Sequence, residues 1–269
     1  MNSVANHPGE TASQRVDRGI SSPVPEKFAE VVRANYRLRL ARTGADVRSA
    51  QVLRFLVFNL ELQEGFEQSY ATCLDADAYD SICDHLLVED TRTGEVVGTY
   101  RLQTGDCARA NLGYYSAQEF DFSPFEALRS QMVELGRACV HSSHRNLVVL
   151  SLLWKGIASY ATAYGCRYLI GCSSLTSQDP AVGMAAYRDL QSCLAPESWR
   201  TNPLPAFACS AVAPAEVAPK IPKLLSAYLT LGAKICGAPA IDREFKTIDF
   251  LTLIDLSSLS DRVVARYMS

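Results

Sequence analysis

The chain has 269 residues, a formal net charge of −3 and 48% hydrophobic residues. A chain of this length can bury a full core, and its ordinary composition excludes fibrous, collagen-like and wholly disordered proteins. Its slightly acidic balance provides no basic surface, so nucleic acid is not an expected partner. The longest apolar runs, residues 147–153 and 250–256, fall far short of the ~20 residues that span a bilayer, which favours a cytoplasmic protein.

The nine cysteines are scattered along the chain without C-x-x-C spacing. Such a set is typical of reduced thiols rather than of a disulfide framework. No Cys/His pair has the spacing of zinc ligands, and the acidic residues Asp75, Asp77 and Asp80 lack the glycine and distal glutamate of a calcium loop. The sequence therefore predicts no metal site.

In chain order, residues 1–25 are rich in Ser, Pro, Asn and Gly, which predicts a disordered leader before a single domain over residues 26–269. Apolar spacing predicts a short helix over 27–35 and a half-buried strand over 36–41. A second helix follows, with Asp46 as its predicted N-cap.

A polar, acidic loop that includes Asp75, Asp77 and Asp80 follows this helix. After the acidic loop comes a predicted hairpin, in which a turn containing glycine joins strands over 85–89 and 96–102. Residues 114–125 are aromatic and irregular, and 131–140 is predicted to be a third strand. A long apolar helix is expected over 146–164, where the following glycine ends it.

The rest of the chain predicts an apolar central strand over 167–175 and a helix over 180–194. Residues 196–222 contain many prolines and are expected to form a loop. A helix over 223–236 and strands within 241–256 complete the prediction. This order indicates an α/β (α+β) fold with a mixed, mostly antiparallel central sheet flanked by helices.

The segment from Glu134 to Arg145 contains the residues best suited to chemistry. Alternation along a regular strand places Glu134 and Gly136 on one face, and Arg137 and Cys139 on the other. A glycine in mid-strand indicates a bulge or a close backbone approach, and a bulge frees N–H groups from the ladder.

Three cationic or titratable residues then precede the predicted helix: His141, His144 and Arg145. The first N–H groups of a helix lack partners within it, so a strand, a polar loop and a helix start together predict an anion cradle. These three residues are therefore the candidate phosphate-binding set.

This segment resembles the GNAT superfamily of N-acetyltransferases, in which a strand, V-H-x-x-x-R and a helix follow one another. Further motifs are similar to those of its acyl-carrier-protein-dependent branch, which includes ornithine N-acyltransferases, acyl-homoserine-lactone synthases and long-chain N-acyl amino acid synthases. Seven motifs, spread over roughly residues 36–256, occur in the order of that branch: Arg54-x-x-Val57-Phe58, Cys83-Asp84-His85-Leu86-Leu87-Val88, Val97-Gly98-Thr99-Tyr100-Arg101-Leu102, Tyr114-Tyr115-Ser116-Ala117-x-Glu119-Phe120, Glu134-Leu135-Gly136-Arg137-x-Cys139-Val140-His141, Leu153-Trp154-x-Gly156-Ile157 and Asp242-x-x-Phe245.

The resemblance implies a GNAT-like fold and direct attack of a primary amine on an acyl thioester. Glu134 is the expected base, and N–H groups near Gly136 are the expected oxyanion donors. Arg137 is expected to bind the acceptor's carboxylate, to orient Glu134 or to contact the donor's phosphate. The remaining expected substrate-binding residues are Arg54, Asp80, Asp84, Arg101 and Cys139.

Structural roles compete with several of these assignments. Glu134 and Arg137 could form a buried ion pair, and the thiol of Cys139 is more typical of a core residue than of a nucleophile. Asp84 and His85 are expected to form a structural hydrogen-bonded pair. The acidic loop either attracts a cationic amino acid or is a solvated loop.

The helix start differs from the wider superfamily in one respect. Val148 and Leu150 occupy the two positions that hold glycine in the acetyltransferase pyrophosphate loop. Their side chains should crowd a pyrophosphate, whereas a carrier-protein donor has a single phosphodiester on its phosphopantetheine arm. The sequence therefore favours acyl carrier protein over CoA as the donor, and no separate cofactor is expected.

These observations together predict transfer of a long 3-hydroxyacyl chain to ornithine, with transient association at the inner membrane. Arg37, Arg39 and Arg42 could meet anionic lipid or the acidic carrier protein, or could form a solvated strand edge. The alternatives are another amino-acid acceptor, synthesis of an acyl-homoserine-lactone-like signal, and a non-enzymatic module that senses acyl chains.

Overall fold

The computed structural model describes residues 28–209, 213, 215–216 and 219–267. The predicted leader lies outside these residues. Within them the strands, in chain order, are β1 (Val31–Arg33), β2 (Tyr36–Leu40), β3 (Asp84–Asp90), β4 (Val96–Thr104), β5 (Met132–Val140), β6 (Tyr168–Leu175), β7 (Lys234–Ile235), β8 (Ala240–Asp242) and β9 (Thr247–Asp255).

The strands form one sheet in the order β1-β2-β3-β4-β5-β6-β9-β7, and β8 also pairs with β9. The pair formed by β5 and β6 is parallel, and the other described pairs are antiparallel. The predicted mixed, mostly antiparallel sheet is therefore confirmed, as are the hairpin of β3 and β4 and the third strand, β5.

The α-helices of the described residues are α1 (Gly44–Arg54), α2 (Gly105–Ala110), α3 (Leu147–Ala163), α4 (Pro180–Asp189), α5 (Lys223–Thr230) and α6 (Asp261–Tyr267). A π-helix over Phe55–Glu61 continues α1 without a break. No helix in the described part of the chain combines the length and apolar character needed to cross a bilayer.

Helices α1 and α3 cover opposite faces of the sheet. Successive strand residues point to opposite sides, so neighbouring residues of one strand pack against different helices. Leu86 and Ile157 belong to the core beneath α3. Leu87, the next residue of β3, packs with Ala50 of α1. We call these two sides the α1 face and the α3 face of the sheet.

The start of α1 corrects one prediction. Thr43, and not Asp46, is the N-cap, and its hydroxyl accepts a hydrogen bond from the Asp46 N–H at 3.1 Å. Asp46 lies three residues later and accepts from the Thr43 N–H at 3.0 Å. The two side chains form a capping box, which satisfies two N–H groups that the helix start leaves open.

Three predicted helices differ from the structure. Residues 31–33 of the first form β1, because Val31 and Val32 pair with β2 across a tight turn. Helix α5 ends at Thr230 rather than at residue 236, since Gly232 adopts a φ of 103° and the next residues pair with β9. Helix α4 ends at Asp189, before a short 3-10 turn.

Candidate active site

A gap opens in the sheet between β5 and β6. Their pairing ends at Glu134 and Ile170, although both strands continue beyond this point. Gly171 lies where they separate, and a Cβ added to it would stand 2.2 Å from the Leu135 carbonyl oxygen. Because glycine has no Cβ, β6 can approach the backbone of β5 closely here, just before the two strands separate.

A bulge in β5 lies beside this gap. Gly136 pairs with Arg101 and Cys139 pairs with Thr99, so one residue of β4 stands opposite two residues of β5, Arg137 and Ala138. Arg137 has a φ of 49°, in the left-handed region. The predicted bulge is confirmed, but its strained residue is Arg137 rather than Gly136.

The bulge also corrects the predicted faces. The extra residue changes the phase of β5, so that Glu134 and Arg137 both line one cavity on the α1 face. Leu135 and Ala138 pack with the core of the α3 face instead. The sequence prediction assumed a regular strand and placed Glu134 and Arg137 on opposite sides.

This cavity, the acceptor cavity, has a volume of about 300 Å³. A second, narrow cavity of about 50 Å³ lies on the α3 face and has Trp154, Tyr100 and Tyr228 in its wall. The two share wall residues on both sides of the gap, among them Gly136 and Cys172. The two cavities therefore meet at the gap, and the one on the α1 face carries the charged side chains Glu134 and Arg137 in its wall.

Glu134 is buried in the wall of the acceptor cavity, and both of its carboxylate oxygens accept backbone hydrogen bonds. The N–H groups of Tyr115 and Ser116 each donate to it at 2.7 Å. Burial raises the pKa of Glu134, while these hydrogen bonds act in the opposite direction. A carboxyl with a raised pKa in the wall of a cavity is a candidate proton acceptor.

Glu134 does not form the ion pair with Arg137 that was considered from the sequence. Arg137 instead donates to the Tyr115 hydroxyl at 3.2 Å, and its guanidinium lies 4.6 Å from the ring centroid of Phe245. Tyr115 thus holds both residues, Glu134 through its N–H and Arg137 through its hydroxyl.

Arg137 belongs to a closed circuit of charges, the arginine–aspartate ring. Each arginine lies between two aspartates, and the six ion pairs span 2.6 to 3.3 Å. The order around the ring is Arg54, Asp75, Arg137, Asp77, Arg101 and Asp80. Three positive and three negative charges balance one another within it.

Several of the residues that were expected to bind substrate are members of this ring. Arg101 and Arg137 line the acceptor cavity, whereas Arg54 is fully buried behind it and Asp80 is 5% exposed. Burial raises the pKa of Asp80, but the guanidinium of Arg54 outweighs this effect and holds that pKa well below its usual range. The predicted solvated form of the acidic loop is wrong, because Asp75 is also fully buried.

Two other expected contacts lie elsewhere. Asp84 is on the α3 face, where it accepts a hydrogen bond from the Tyr160 hydroxyl at 2.7 Å, so it does not join the polar network of the cavity. It also does not pair with His85, whose Nε2 lies 3.0 Å from the Asp80 carbonyl oxygen on the other face. Cys139 is a core residue that packs with Phe58, and burial raises the pKa of its thiol.

The predicted anion cradle at the start of α3 already has a protein occupant. Asn146 caps the helix, and its side-chain oxygen accepts from the N–H groups of Val148 and Val149 at 3.0 and 3.1 Å. Arg145 forms a bidentate pair with Glu61 at 2.5 and 2.7 Å. The assumption that these N–H groups are without partners is therefore wrong.

The two histidines of this loop line a third cavity, of about 370 Å³, on the α1 side of the loop. Nδ1 of His144 is 3.0 Å from the Tyr36 hydroxyl. Nδ1 of His141 accepts from the Ser143 N–H at 3.3 Å. The structure thus brings His141 and His144 together beside an open space and leaves Arg145 neutralised by Glu61.

A second group of acids was not assigned a role from the sequence. Asp242, Asp249 and Glu64 line the acceptor cavity, and Glu119 lies behind its wall. Carboxylate oxygens of Glu119 and Asp249 and the Cys172 sulfur lie within 4.8 Å of one another, a separation that a metal ion could also bridge. Glu119 and Asp242 occur in two of the motifs noted above, which was the available signal.

Comparisons with known proteins agree with this architecture. The family described as Acetyltransferase (GNAT) domain matches residues 53–155. Among solved structures, the N-acyl amino acid synthase FeeM from uncultured soil microbes has a TM-score of 0.51 at 10% identity and covers 86% of this chain and 93% of its own. The acyl-homoserine-lactone synthase LasI has a TM-score of 0.50 at 12% identity, over 87% and 96% of the chains. These two similarities establish the fold.

Relatives in sequence are closer. The L-ornithine N(alpha)-acyltransferase of Agrobacterium fabrum is 33% identical over 245 residues, which are 85% of this chain and 84% of that protein. The enzyme of the same name from Rhizobium meliloti is 30% identical over 96% of this chain and 92% of its own. Since relatives at 30% and 33% identity cover 96% and 85% of this chain, it belongs to the L-ornithine N(alpha)-acyltransferase family and is an acyltransferase with the GNAT fold.

Proposed function

We propose that this enzyme transfers a long 3-hydroxyacyl chain from acyl carrier protein to the α-amine of ornithine. The observation that carries the proposal is the position of Glu134 and Arg137. The bulge brings both to one cavity, at the gap between β5 and β6 that leads to the apolar cavity on the other face. An amine in the acceptor cavity and a thioester in the gap would then meet beside Glu134.

The reaction follows from these positions. Glu134 takes one proton from the α-ammonium, which leaves a neutral amine. The nitrogen attacks the thioester carbonyl carbon, the C–N bond forms and the C–S bond breaks. The departing thiolate takes the second proton of the nitrogen, and Glu134 releases its proton to solvent. The backbone N–H groups of Arg137 and Ala138, outside the regular ladder register, are the proposed donors to the oxyanion.

The helix start supports a carrier-protein donor. A CoA pyrophosphate would need the N–H groups that Asn146 already holds, and it would meet the side chains of Val148 and Leu150. A single phosphodiester makes a smaller demand, and His141 and His144 border an open cavity that could receive it. These contacts favour acyl carrier protein as the partner that brings the phosphopantetheine thioester.

The acceptor and the product support the remaining parts of the proposal. Arg137 lines the acceptor cavity with a planar guanidinium suited to a carboxylate. The relatives' names specify ornithine. A long-chain N-acyl amino acid is a lyso-lipid, so we propose transient contact with the inner membrane. Arg37, Arg39 and Arg42 pair with Glu89, Asp46 and Glu30, which makes them weak candidates for that contact.

Purified enzyme supplied in parallel with 3-hydroxyacyl carrier protein and 3-hydroxyacyl-CoA, each with ornithine, tests the proposal. Mass spectrometry should find N-acyl-ornithine, formed at least about 10-fold faster from the carrier protein. Glu134→Gln should lower kcat by about 100- to 10,000-fold, the usual contribution of a general base, while Asp84→Asn is the matched control outside the cavity. Equal rates with both donors would refute the carrier-protein assignment, and an unaffected Glu134→Gln variant would refute the base.

The non-enzymatic alternative, an acyl-sensing module, is not supported, because the relatives are named enzymes and the carboxylate of Glu134 lies in the cavity. The remaining alternative is that an amino acid other than ornithine is the acceptor. Competition between ornithine and other amino acids in the same assay decides it.

A further inference from the structure

We propose that Glu119 and Asp249 form the specificity site for the acceptor's side-chain ammonium, so that the enzyme selects a diamino acid by charge. We call these two residues the acid pair. The inference rests on the proposed function and deepens it, since neither residue takes part in the chemistry at Glu134.

The first argument is the balance of charge around the acceptor cavity. The two arginines that line it, Arg101 and Arg137, are each held between two aspartates of the arginine–aspartate ring. The ring is neutral overall, so Arg137, which acts to lower the pKa of Glu119 and Asp249, offsets the charge of these acids only in part. Glu64, Asp242 and Asp249 also line the cavity, and carboxylate oxygens of Glu119 and Asp249 lie within 4.8 Å of each other.

The second argument is the state of the acid pair itself. Glu119 is 3% exposed and Asp249 is 5% exposed. The Oε2 atom of Glu119 and the Oδ1 atom of Asp249 are buried without a hydrogen-bond partner. An unsatisfied buried carboxylate oxygen is costly, and a bound cation that donates a hydrogen bond to it would remove that cost.

The carboxylates of Asp242 and Glu64 already accept hydrogen bonds, so they suit this role less than the acid pair does. Asp242 accepts from the backbone N–H groups of Glu244 and Phe245 at 2.8 Å each. Glu64 accepts a hydrogen bond from the Thr176 hydroxyl. Each member of the acid pair, in contrast, keeps one carboxylate oxygen without a hydrogen-bond partner.

The third argument is placement. The backbone N–H of Ser116 binds Glu134, and Cys172, which lines the same cavity, lies close to both members of the acid pair. An acceptor whose α-amine faces Glu134 can therefore extend its side chain along this wall toward the acid pair. A terminal ammonium donates up to three hydrogen bonds, which matches two carboxyls that each have an unpaired oxygen.

The charge of the bound substrate then agrees with the charge of the cavity. Ornithine carries one more positive charge than norvaline, which has the same carbon skeleton without the side-chain amine. Burial and the neighbouring carboxylate of Asp249 raise the pKa of Glu119, which reflects a site short of positive charge. An ammonium at the acid pair supplies that charge, and norvaline cannot.

The test compares ornithine with norvaline as acceptors for wild type, Asp249→Asn, Glu119→Gln and Asp84→Asn. Asp84 is the matched control, a hydrogen-bonded carboxyl on the opposite face of the sheet. Each acid-pair variant should lower kcat/KM for ornithine by about 10- to 100-fold, as expected for loss of a charge-assisted hydrogen bond. The value for norvaline should change by less than about 3-fold, within the non-additivity of separate sites.

Several results would overturn the proposal. An equal fall for both acceptors means that the acid pair is structural, and no fall for either means that it does not contact the acceptor. Wild-type enzyme that uses norvaline as well as ornithine excludes charge selection even where a variant fails to fold. A stoichiometric metal ion in the purified wild-type protein, lost in Glu119→Gln, would assign the acid pair and Cys172 to a metal site instead.

Direct binding separates this proposal from the proposed function. Isothermal titration calorimetry of ornithine and norvaline into the wild-type protein needs no turnover. If neither acyl donor yields product but ornithine binds at least about 10-fold more tightly than norvaline, and Asp249→Asn removes the difference, the acid pair stands and the proposed reaction fails. If product forms without any such difference, the reaction stands and the acid pair is refuted.

Discussion

Gly136 offers a clean test of the path that the acyl chain takes. It lines both the acceptor cavity and the apolar cavity on the opposite face. Its φ lies outside the left-handed region, and a Cβ built on it meets no heavy atom within 4 Å. Alanine at this position should therefore fold normally, with the small stabilisation of about 0.4–1 kcal/mol that replacing a glycine gives. A leucine would project into the space that the two cavities share.

The size of the effect follows from the methylenes that a leucine displaces. If Gly136→Leu excludes roughly four methylenes of the acyl chain, at about 0.8 kcal/mol each, about 3 kcal/mol of binding is lost. That corresponds to about 100-fold in kcat/KM for a long chain. A butanoyl donor does not reach beyond the displaced region and should lose far less.

The assay measures kcat/KM for butanoyl, octanoyl and hexadecanoyl carrier protein with ornithine. Wild type and Gly136→Ala should gain with chain length, whereas Gly136→Leu should gain little beyond the shortest donor. Thermal unfolding of the three proteins checks that the fold is retained. If Gly136→Leu keeps the full advantage of the long donor, the chain does not pass Gly136 and the proposed path is wrong.

Three further predictions concern stability, and chemical denaturation measures each of them. Arg54→Ala should lower the free energy of unfolding by about 3–5 kcal/mol, because it leaves buried carboxylates unpaired. Arg109→Ala, which breaks only the exposed pair with Asp106, should lower it by less than about 1 kcal/mol; equal losses would contradict the ring's role. Burial lowers the pKa of His85 from 6.5 to about 4. The unfolded chain therefore binds the extra proton first, and the unfolding free energy should fall by about 3 kcal/mol as the pH drops from 6.5 to 4; a His85→Gln variant with the same slope would refute this. Gly171→Ala should cost about 1–3 kcal/mol through its clash with the Leu135 carbonyl, and an unchanged midpoint would show that β5 can move away.

Local patterns were sufficient to predict most of the fold. The hairpin of β3 and β4, the strand β5 and the helix α3 all follow from apolar periodicity and turn residues within a few positions of one another. The predicted helix over 223–236 failed where a local signal competed with a distant one. The helix stops at Thr230 and the end of the segment contains β7, because Lys234 and Ile235 pair with β9, and no local pattern indicates that partner.

The site was predictable only in part, for the same physical reason. Glu134 and Arg137 were identified from one segment, but their shared face depends on a bulge that pairing with β4 reveals. The arginine–aspartate ring joins residues from α1, the acidic loop and two strands, so its pairs cannot be inferred from spacing. Asp249 sits within an apolar strand, and only its packing against Glu119 shows that the two carboxyls share one site.

Arg137 allows the strain of the bulge to be separated from the value of its side chain. A non-glycine residue in the left-handed region costs about 1–2 kcal/mol, and contacts with Asp75, Asp77 and Tyr115 hold Arg137 there. Arg137→Ala and Arg137→Gly both remove these contacts, but only glycine relieves the backbone.

In a regular strand, glycine is less stable than alanine by about 0.5–1 kcal/mol. At this position the order should reverse, with Arg137→Gly about 1 kcal/mol more stable than Arg137→Ala in urea unfolding, while both fall well below wild type. If Arg137→Ala proves the more stable variant, the positive φ is not maintained without the arginine side chain. The bulge would then be a consequence of the ring rather than a feature that β5 and β4 impose, and the shared face of residues 134 and 137 would depend on those ion pairs.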